Sequence, residues 1–500
     1  MKVANQKLDN NISFKLENIK RKIPLLESLR EYSLRDIASF DVPGHVKNQG
    51  VPILNDYFGE YFMKMDINSS PLMDNVSNSK GIIKEAQKLL AKAYGADYGF
   101  FITGGTTQAI HAMILSIIKP GEKILLPRNI HKSVINALIL SGGIPVFIEP
   151  EYDCELGISM NINTNQLEKS LEEYKDIKAL FLLNPTYYGM CSKLDEIVKI
   201  CHKNKVLVLV DEAHGAHFPF HNDLPDCGIS VGADMCAISI HKTGGALTQA
   251  SAIVVNDKNI DIDALSNSIN MLQSTSASYI LMASIDGARA NLVLNGESQL
   301  SKALNLSRYA RSKLNKIEGI YVSNENELND KDYIALDETK LCINVRRLNL
   351  TGFEVYDLLY KEFDIQVELG DMYNILALVS IGTTKENVDK LITAIKIIAK
   401  LYIKSKKNSD IKISQINPIV RLSPRDAFYS KKESIDIDNC INRISGECIM
   451  AYPPGIPIVS PGEIITKEII DYIKLLKLNN AYLTDMKDKT LKSIFVVYES

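Results

Sequence analysis

The stretch that decides the fold is Ser239-Ile240-His241-Lys242-Thr243-Gly244-Gly245, which follows the apolar run Met235-Cys236-Ala237-Ile238. Most lysines lie on the surface with a solvated ammonium group. Lys242 has a different setting, because it follows a predicted buried strand and precedes two glycines that let the backbone pass close to another group. A partly desolvated lysine has a lowered pKa and becomes a nucleophilic amine. Lys242 is therefore the first candidate for chemistry.

Apolar strands and helices alternate from residue 98 to residue 255. This alternation predicts a mainly parallel sheet with helices on both faces. The predicted strands are 98–103, 123–126, 144–148, 179–183, 206–210, 235–240 and 251–255, and the helices between them are 106–118, 131–141, 167–174 and 194–202. Ligands bind beyond the carboxyl ends of the strands in such sheets. We therefore expect Gly105, Asn184, Asp211 and Lys242, which follow four of these strands, to meet in one crevice.

Composition limits the class of protein. The chain has 500 residues, of which 46% are hydrophobic and 23% charged, and this suits two or three soluble domains. A formal net charge of −3 gives no bias toward nucleic acid or membranes, and no apolar run is long enough to span a bilayer. The chain begins without a signal-peptide core. The eight cysteines have no metal-type spacing, so we expect reduced thiols, no metal and a cytoplasmic location.

Four regions are predicted along the chain. Residues 1–30 form an amphipathic helical segment in which Leu25, Leu26 and Leu29 lie at helical spacing and pack on a partner surface. Residues 31–289 form the large domain and 290–403 a smaller α+β domain. Residues 404–500, which open with the lysine-rich linker 404–409 and contain the proline-rich stretch 452–457, form an additional C-terminal α+β domain.

Gly104-Gly105-Thr106-Thr107 lies between a predicted strand and a predicted helix. Backbone N–H groups and the helix dipole bind phosphate at such a position, and the threonine hydroxyls add donors. An ordinary glycine turn followed by a threonine N-cap has the same pattern. Both interpretations stay open at this point.

Asp211 ends the most apolar of the predicted strands, within Asp211-Glu212-Ala213-His214. A carboxylate there needs a cationic partner, which a protonated pyridine nitrogen would provide. The same four letters occur in a class of helicases, but these require G-x-x-x-x-G-K-[ST] and this chain has no Gly-Lys pair. His131 opens a predicted helix, either as a structural cap or as an imidazole that stacks on an aromatic ring.

A phosphate site, a stacking imidazole, a carboxylate for a ring nitrogen and an amine for an aldehyde are the groups that hold pyridoxal 5′-phosphate (PLP). Their order along the chain, with the phosphate loop first, then Asp211 and then Lys242, is that of fold-type-I enzymes of this cofactor. The residues therefore predict a PLP enzyme, with aminotransfer, aldol cleavage and decarboxylation as possible reactions.

The chain resembles the bacterial ornithine/lysine/arginine decarboxylase family. The strings that carry the resemblance are 128–133, 211–214, 239–242, 274–279, 424–429 and 452–463. Within the family the chain is similar to the short branch that includes arginine decarboxylases of Gram-positive bacteria. The resemblance implies an α/β, fold-type-I, aspartate-aminotransferase-like large domain and PLP-dependent conversion of L-arginine to agmatine and CO2, in polyamine biosynthesis. Lysine and ornithine are the alternative substrates, and a catalytically silent PLP-binding regulatory protein is the alternative outside catalysis.

The resemblance also implies roles for individual residues. Lys242 carries the cofactor covalently, Asp211 holds the ring nitrogen protonated, His131 stacks on the ring and His214 lies at its edge. The phosphate is surrounded by Gly105, Thr106, Thr107, Ser239, His241 and, from the partner subunit of a homodimer, Ser276. Candidates for reading the substrate side chain are Glu463, Asp426, Glu368 and Asp371. The implied assembly is a homodimer with composite active sites, with a higher oligomer as an alternative.

Overall fold

The structure is a computed structural model. It describes residues 21–324, 334–403, 418–451, 455–479 and 481–499. The predicted N-terminal segment is therefore described only from residue 21. The linker 404–409 and the residues Tyr452-Pro453-Pro454 lie outside the described residues.

A seven-stranded sheet forms the centre of the molecule. Its strands, in spatial order, are Tyr98–Ile102, Ser251–Val255, Met235–Ile238, Leu207–Asp211, Ile177–Leu183, Lys123–Pro127 and Ile144–Ile148. The last five of these run parallel to one another, whereas Ser251–Val255 is antiparallel to both of its neighbours. The prediction of a mainly parallel sheet is confirmed, with strand boundaries that differ by two residues or fewer.

Both faces of this sheet are buried. Val208 and Val210 belong to one apolar cluster, whereas Leu209 between them belongs to the cluster on the opposite face. Side chains alternate between the two faces of a strand, so a strand of consecutive Val and Leu residues contributes side chains to both apolar clusters. The covering helices are Ile82–Tyr94, Gly105–Ile117, Lys132–Ser141, Thr164–Glu173, Leu194–Lys203 and Ile262–Leu272.

The helix Pro24–Ser33 packs on the long helix Tyr279–Leu314 and on Ile82–Tyr94. Leu25 and Leu29 are buried in this contact, as their helical spacing requires. The Leu25 backbone N–H donates to Asp286 Oδ2 at 3.0 Å. The apolar face of this helix is therefore covered by the same chain and not by a partner surface.

A second α+β unit follows the long helix. Its sheet contains Tyr321–Val322, Lys340–Asn344, Asn374–Leu378 and Leu369–Gly370, all antiparallel, and its helices are Gly352–Phe363 and Lys385–Tyr402. It has its own apolar cluster. The strand Ile334–Leu336 pairs with Met190–Ser192 of the first unit, and this pairing brings the start of the Lys340–Asn344 strand toward the large sheet.

The C-terminal residues form a third α+β unit, whose apolar cluster also includes Met372 and Tyr373 of the second unit. Its helices are Pro424–Tyr429 and Lys467–Leu478, and its strands are Lys432–Asp436, Ile449–Ala451, Ile456–Val459, Leu483–Thr484 and Ser493–Val497. Other short elements among the described residues include the helices Pro52–Phe58 and Glu60–Met65, and the hairpin of Tyr152–Asp153 with Ile158–Ser159. The helix Tyr279–Leu314 runs through the predicted boundary at 289/290; the domain boundaries stay predictions.

Candidate active site

Three of the predicted groups lie side by side at the carboxyl ends of neighbouring strands. Leu183 is paired with Asp211, and Asp211 with Ala237, in the strand register. Asn184 therefore follows one strand end, Asp211 ends the next, and Ser239 with Lys242 follows the third. Because the strands are parallel, these residues meet at the same edge of the sheet.

The helix Gly105–Ile117 begins at this edge with no side-chain cap. Gly105 has φ +74°, a left-handed conformation that suits glycine. Thr106 does not cap the helix, because its hydroxyl lies 2.5 Å from Ser239 Oγ and 3.2 Å from Ser251 Oγ. Among the described residues, the Gly105 N–H donates to the Gln249 carbonyl oxygen at 3.1 Å, whereas the N–H groups of Thr106 and Thr107 have no side-chain acceptor. With three hydroxyls beside them and the positive end of the helix dipole, they form a cradle that fits a phosphate.

Asp211 is buried, and its carboxylate accepts one hydrogen bond, from the Ala213 N–H at 3.1 Å. Burial raises the pKa of Asp211 to about 6, against the lowering effect of Lys242. No cation among the described residues lies within ion-pair distance of it. A buried carboxylate of this kind is stabilised by a protonated nitrogen placed against it, so the site fits a pyridinium ring.

Lys242 lies in the short helix Ile240–Thr243. Its Nζ is 2.9 Å from His214 Nε2 and 5.9 Å from the centroid of the Tyr187 ring. Burial lowers the pKa of Lys242, while Asp211 and Glu368 oppose the shift. The lysine is thus held, partly desolvated, in a setting that favours a neutral and nucleophilic amine.

His131 is the N-cap of the helix Lys132–Ser141, where its Nδ1 accepts from the Ser133 N–H at 3.2 Å. Burial, followed by the positive charge of Lys242, lowers the pKa of His131 to about 4. His131 therefore caps the helix and also lies close enough to Lys242 for the two charges to interact, so the cap does not exclude a position at the crevice. The Nδ1 of His241 lies 3.1 Å from the Ala250 carbonyl oxygen.

The four acidic residues considered for the substrate side chain lie in different settings. Glu463 is buried and pairs with Arg128 at 3.0 Å. Asp426 is exposed in the first turn of Pro424–Tyr429, where its Oδ2 accepts from Ser423 at 2.7 Å. Asp371 accepts from the Tyr188 hydroxyl at 2.5 Å and from two backbone N–H groups. Glu368 is exposed and alone of the four acts electrostatically on Lys242. Glu368 thus contributes negative potential at Lys242, whereas the other three acids have hydrogen-bond or ion-pair partners within the protein.

Several residues of the crevice were not predicted from the sequence. The side chain of Lys340 is buried, and its Nζ lies 2.9 Å from His214 Nδ1. Asp337, also buried, lies near His217 and Lys340. Asn184, which was predicted to lie in the crevice, has a buried Nδ2 with no hydrogen-bond partner among the described residues. Lys340 was missed because it follows the polar run Asp337-Glu338-Thr339, which is typical of an exposed segment.

A cavity of 240 Å³ adjoins the crevice, and its wall includes Tyr187, Tyr188 and Asp371.

Within the described residues, no group of three or more His, Cys, Asp or Glu side chains could hold a metal ion. None of the described helices is both long and apolar enough to cross a membrane.

Comparison with known proteins identifies the family. Residues 23–387 match the model of the Orn/Lys/Arg decarboxylase major domain, and residues 411–483 match the model of its C-terminal domain. The chain belongs to the Orn/Lys/Arg decarboxylase family. The predicted resemblance is therefore confirmed.

Individual relatives agree with this assignment. The arginine decarboxylase of Bacillus anthracis is 41% identical over 95% of this chain and 97% of that protein. The arginine decarboxylase of Bacillus subtilis (strain 168) is 40% identical over 95% and 98%. Among solved structures, lysine decarboxylase A from Pseudomonas aeruginosa superimposes with a TM-score of 0.85 at 21% identity, over 99% of this chain and 82% of that one. The predicted fold class is confirmed, since the aminotransferase PucG of Bacillus subtilis also matches, with 14% identity and a TM-score of 0.53 over 65% of this chain and 89% of its own.

Decarboxylases of this family and their fold-type-I neighbours are PLP-dependent, so this chain is a PLP-dependent amino-acid decarboxylase. The observed side chains fit the cofactor: an uncapped helix start for its phosphate, a buried carboxylate without a cation for its ring nitrogen, and a desolvated lysine for its aldehyde.

Proposed function

We propose that this protein decarboxylates L-arginine to agmatine and CO2. The observation that carries the proposal is the crevice in which Asp211, Lys242 and His214 meet beside the start of the helix Gly105–Ile117, because it holds the groups that a PLP enzyme needs. The choice of decarboxylation over aminotransfer or aldol cleavage is supported by the decarboxylase family to which the chain belongs. The choice of arginine is supported by the relatives named arginine decarboxylase, which are 40 to 41% identical over 95% of the chain.

Each predicted site residue receives a role in this proposal. Lys242 would hold the cofactor covalently, and Asp211 would keep the proton on its ring nitrogen. The phosphate would be held by Gly105, Thr106, Thr107, Ser239 and His241, with His131 and His214 beside the ring. When bound, the cofactor supplies a sink for the electrons of the bond that breaks at Cα.

The proton balance of the reaction gives His214 and Lys242 a further role. Decarboxylation replaces the substrate carboxylate at Cα by a proton, so the site must deliver one proton in each turnover. Lys242 Nζ and His214 Nε2 share a hydrogen bond of 2.9 Å at the crevice. In the proposal these two groups hold that proton, because His214 is buried, Lys242 is partly buried, and both lie at the crevice where the substrate would react.

Glu368 is the proposed partner of the substrate guanidinium, since it alone of the four candidate acids acts on Lys242. A planar guanidinium binds a carboxylate through two parallel hydrogen bonds, whereas an ammonium makes a point contact. Lysine and ornithine remain the alternative substrates of the family. The other three acids already have partners, so in this proposal they stabilise the protein around the site and do not contact the substrate. They are Asp371, Asp426 and Glu463.

We also propose a homodimer in the cytoplasm. A group of large apolar side chains on and near the helices Pro52–Phe58 and Glu60–Met65 is exposed in the single chain, and such a patch marks a protein interface. These residues are Phe40, Val42, Ile53, Tyr57, Phe58, Tyr61 and Leu72. Ser276 is exposed as well, as a residue that completes the partner's site would be in one chain. All eight cysteines are free, which suits a reducing compartment.

The test is a side-by-side assay of CO2 and amine release from arginine, lysine and ornithine. We expect arginine to have the highest kcat/KM, and Lys242→Ala to lose both turnover and the absorbance of the linked cofactor. The exposed Lys258 offers a matched control, since Lys258→Ala should behave as wild type. A higher kcat/KM for lysine or ornithine would change the substrate. Amino-group transfer or aldol cleavage without CO2 would overturn the reaction, and no turnover at all would favour the silent regulatory protein.

A further inference from the structure

The imidazole of His214 lies between two lysine side chains. Its Nε2 is 2.9 Å from Lys242 Nζ, and its Nδ1 is 2.9 Å from Lys340 Nζ. The two lysines come from different parts of the fold, since Lys242 follows the large sheet and Lys340 begins the strand Lys340–Asn344 of the second unit. One ring therefore connects both amines.

Hydrogen-bond chemistry limits the charges that this arrangement can hold. A neutral imidazole has one N–H donor and one nitrogen acceptor, and a lysine ammonium has donors only. Two ammonium groups would need two acceptors on the same ring, which a neutral imidazole lacks. Burial, then the charges of Lys242 and Lys340, lower the pKa of His214 well below its usual value, so the ring is neutral. While both contacts exist, at most one of the two lysines is an ammonium, so at least one of them is a neutral amine.

The surroundings decide which lysine carries the charge. Asp337, fully buried, accepts from the Thr339 N–H at 3.0 Å and from its hydroxyl at 2.6 Å. Burial acts to raise the pKa of Asp337, but His217 and Lys340 bring it below the usual value. Burial lowers the pKa of Lys340 to about 8, and the buried negative charge of Asp337 opposes this shift, so Lys340 keeps its proton at neutral pH. The negative charge that most strongly raises the pKa of Lys242 is that of Asp211, which the proposed function assigns to the ring nitrogen of the cofactor.

The remaining ionisable groups around the pair do not reverse this assignment. His131 and His241 face Lys242 with neutral rings, because burial lowers the pKa of each. Glu368 is shared, since it acts on both lysines. Cys191 faces Lys340 as a neutral thiol, because burial raises its pKa well above the usual value.

A glycine makes room for the side chain of Lys340. A Cβ atom at Gly189 would lie 3.1 Å from Lys340 Cβ and 3.1 Å from its Cδ. Gly189 also has φ +93°, which a residue with a side chain rarely adopts. The loop before Met190–Ser192 is thus shaped to let this lysine reach the interior.

We propose that Lys340 is a positioning residue that, through His214, keeps Lys242 as a neutral amine ready to bond the cofactor. Lys340 donates to Nδ1, so that Nε2 carries the ring proton and points it at the lone pair of Lys242. If the charge on Lys340 is removed, the ring can turn its acceptor to Lys242 and hold that lysine as an ammonium. The inference rests on the proposed role of Lys242.

The test follows covalent linkage of PLP to the cofactor-free enzyme by absorbance, as a function of pH and without substrate. The rate reports the fraction of neutral Lys242. For Lys340→Met we expect the midpoint of this profile to move upward by one pH unit or more, which makes linkage about tenfold slower below the midpoint. Lys340→Arg, which keeps a charged donor, should restore most of the rate. Lys316→Met, a change at an exposed lysine of the same unit, is the control.

A second variant allows the same coupling to be tested if Lys340→Met does not fold. His214→Phe removes the connecting ring, so its midpoint should also rise, and adding Lys340→Met to it should cause no further change. Unchanged midpoints in folded Lys340→Met and His214→Phe would overturn the coupling. A variant in which KM for arginine rises while linkage is normal would instead make Lys340 a substrate ligand. Borohydride reduction and peptide mapping identify the linked lysine, and a site other than Lys242 would refute the proposed function itself.

Discussion

Asp211 is the residue on which the electron-accepting power of the proposed site depends. An amide at this position has nearly the same shape but cannot hold a proton on a ring nitrogen by charge. We expect Asp211→Asn to retain the fold and to lower kcat on the order of ten- to a hundredfold, as the loss of one charge-assisted hydrogen bond does. Steady-state kinetics and cofactor content measure the effect, with the exposed Asp257→Asn as control. Wild-type kcat with bound cofactor would remove this role.

Glu212 lies beside Asp211 and affects the pH dependence of stability. It is fully buried and accepts from Cys227 Sγ at 3.1 Å and from the Gly228 N–H at 2.9 Å. Burial raises its pKa from 4.5 to about 8. The protonated form is favoured in the folded state, so stability is lost as pH rises from the unfolded pKa to the folded one.

We therefore expect the cofactor-free protein to lose stability between pH 6 and 8, above the pKa of about 6 of Asp211. Glu212→Gln, which is neutral at every pH, should flatten this slope and be more stable at pH 8 by on the order of a few kcal/mol. Urea unfolding across this range measures it. The exposed Glu196→Gln should keep the wild-type slope, and an equal slope in both variants would contradict the explanation.

At the scale of elements, the helix Pro24–Ser33 depends on its apolar face. Leu25 is fully buried against the long helix, whereas Glu27 of the same helix is exposed. Leu25→Ala removes buried methyl groups and leaves a cavity, which costs about 2–5 kcal/mol. We expect a lower melting temperature and faster hydrogen exchange in residues 24–33, with Glu27→Ala close to wild type. Equal melting temperatures for the two variants would show that this helix adds little to stability.

The proposed composite site depends on the whole assembly, because two subunits would contribute residues to it. If Ser276 completes the site of the partner subunit, a Lys242→Ala chain and a Ser276→Asp chain should complement each other, since the hybrid holds one site free of both changes. Random subunit exchange makes about half of the dimers hybrid by counting, so about a quarter of all sites should recover activity. Tagged chains prove the exchange. Proven exchange without recovery would place Ser276 outside the partner's site.

By itself, the sequence determined the central sheet, the crevice and the pair Asp211 and Lys242. Consecutive Val and Leu residues can be satisfied only in a strand buried on both faces, and polar residues directly after parallel strands must meet at one edge. These are local patterns, and their consequences follow from the geometry of a single element. The family resemblance added the cofactor and the reaction in the same way, from short strings around those residues.

Only the tertiary structure decided the use of charged residues that lie far apart in the chain. Lys340 is buried because the strand Ile334–Leu336 pairs with Met190–Ser192 and Gly189 leaves space beside it. Glu463 pairs with Arg128, which is 335 residues away, and Asp371 accepts from Tyr188. A charged side chain has the same appearance in sequence whether water or a distant partner stabilises it, because the desolvation that distinguishes the two arises only when separate elements pack together.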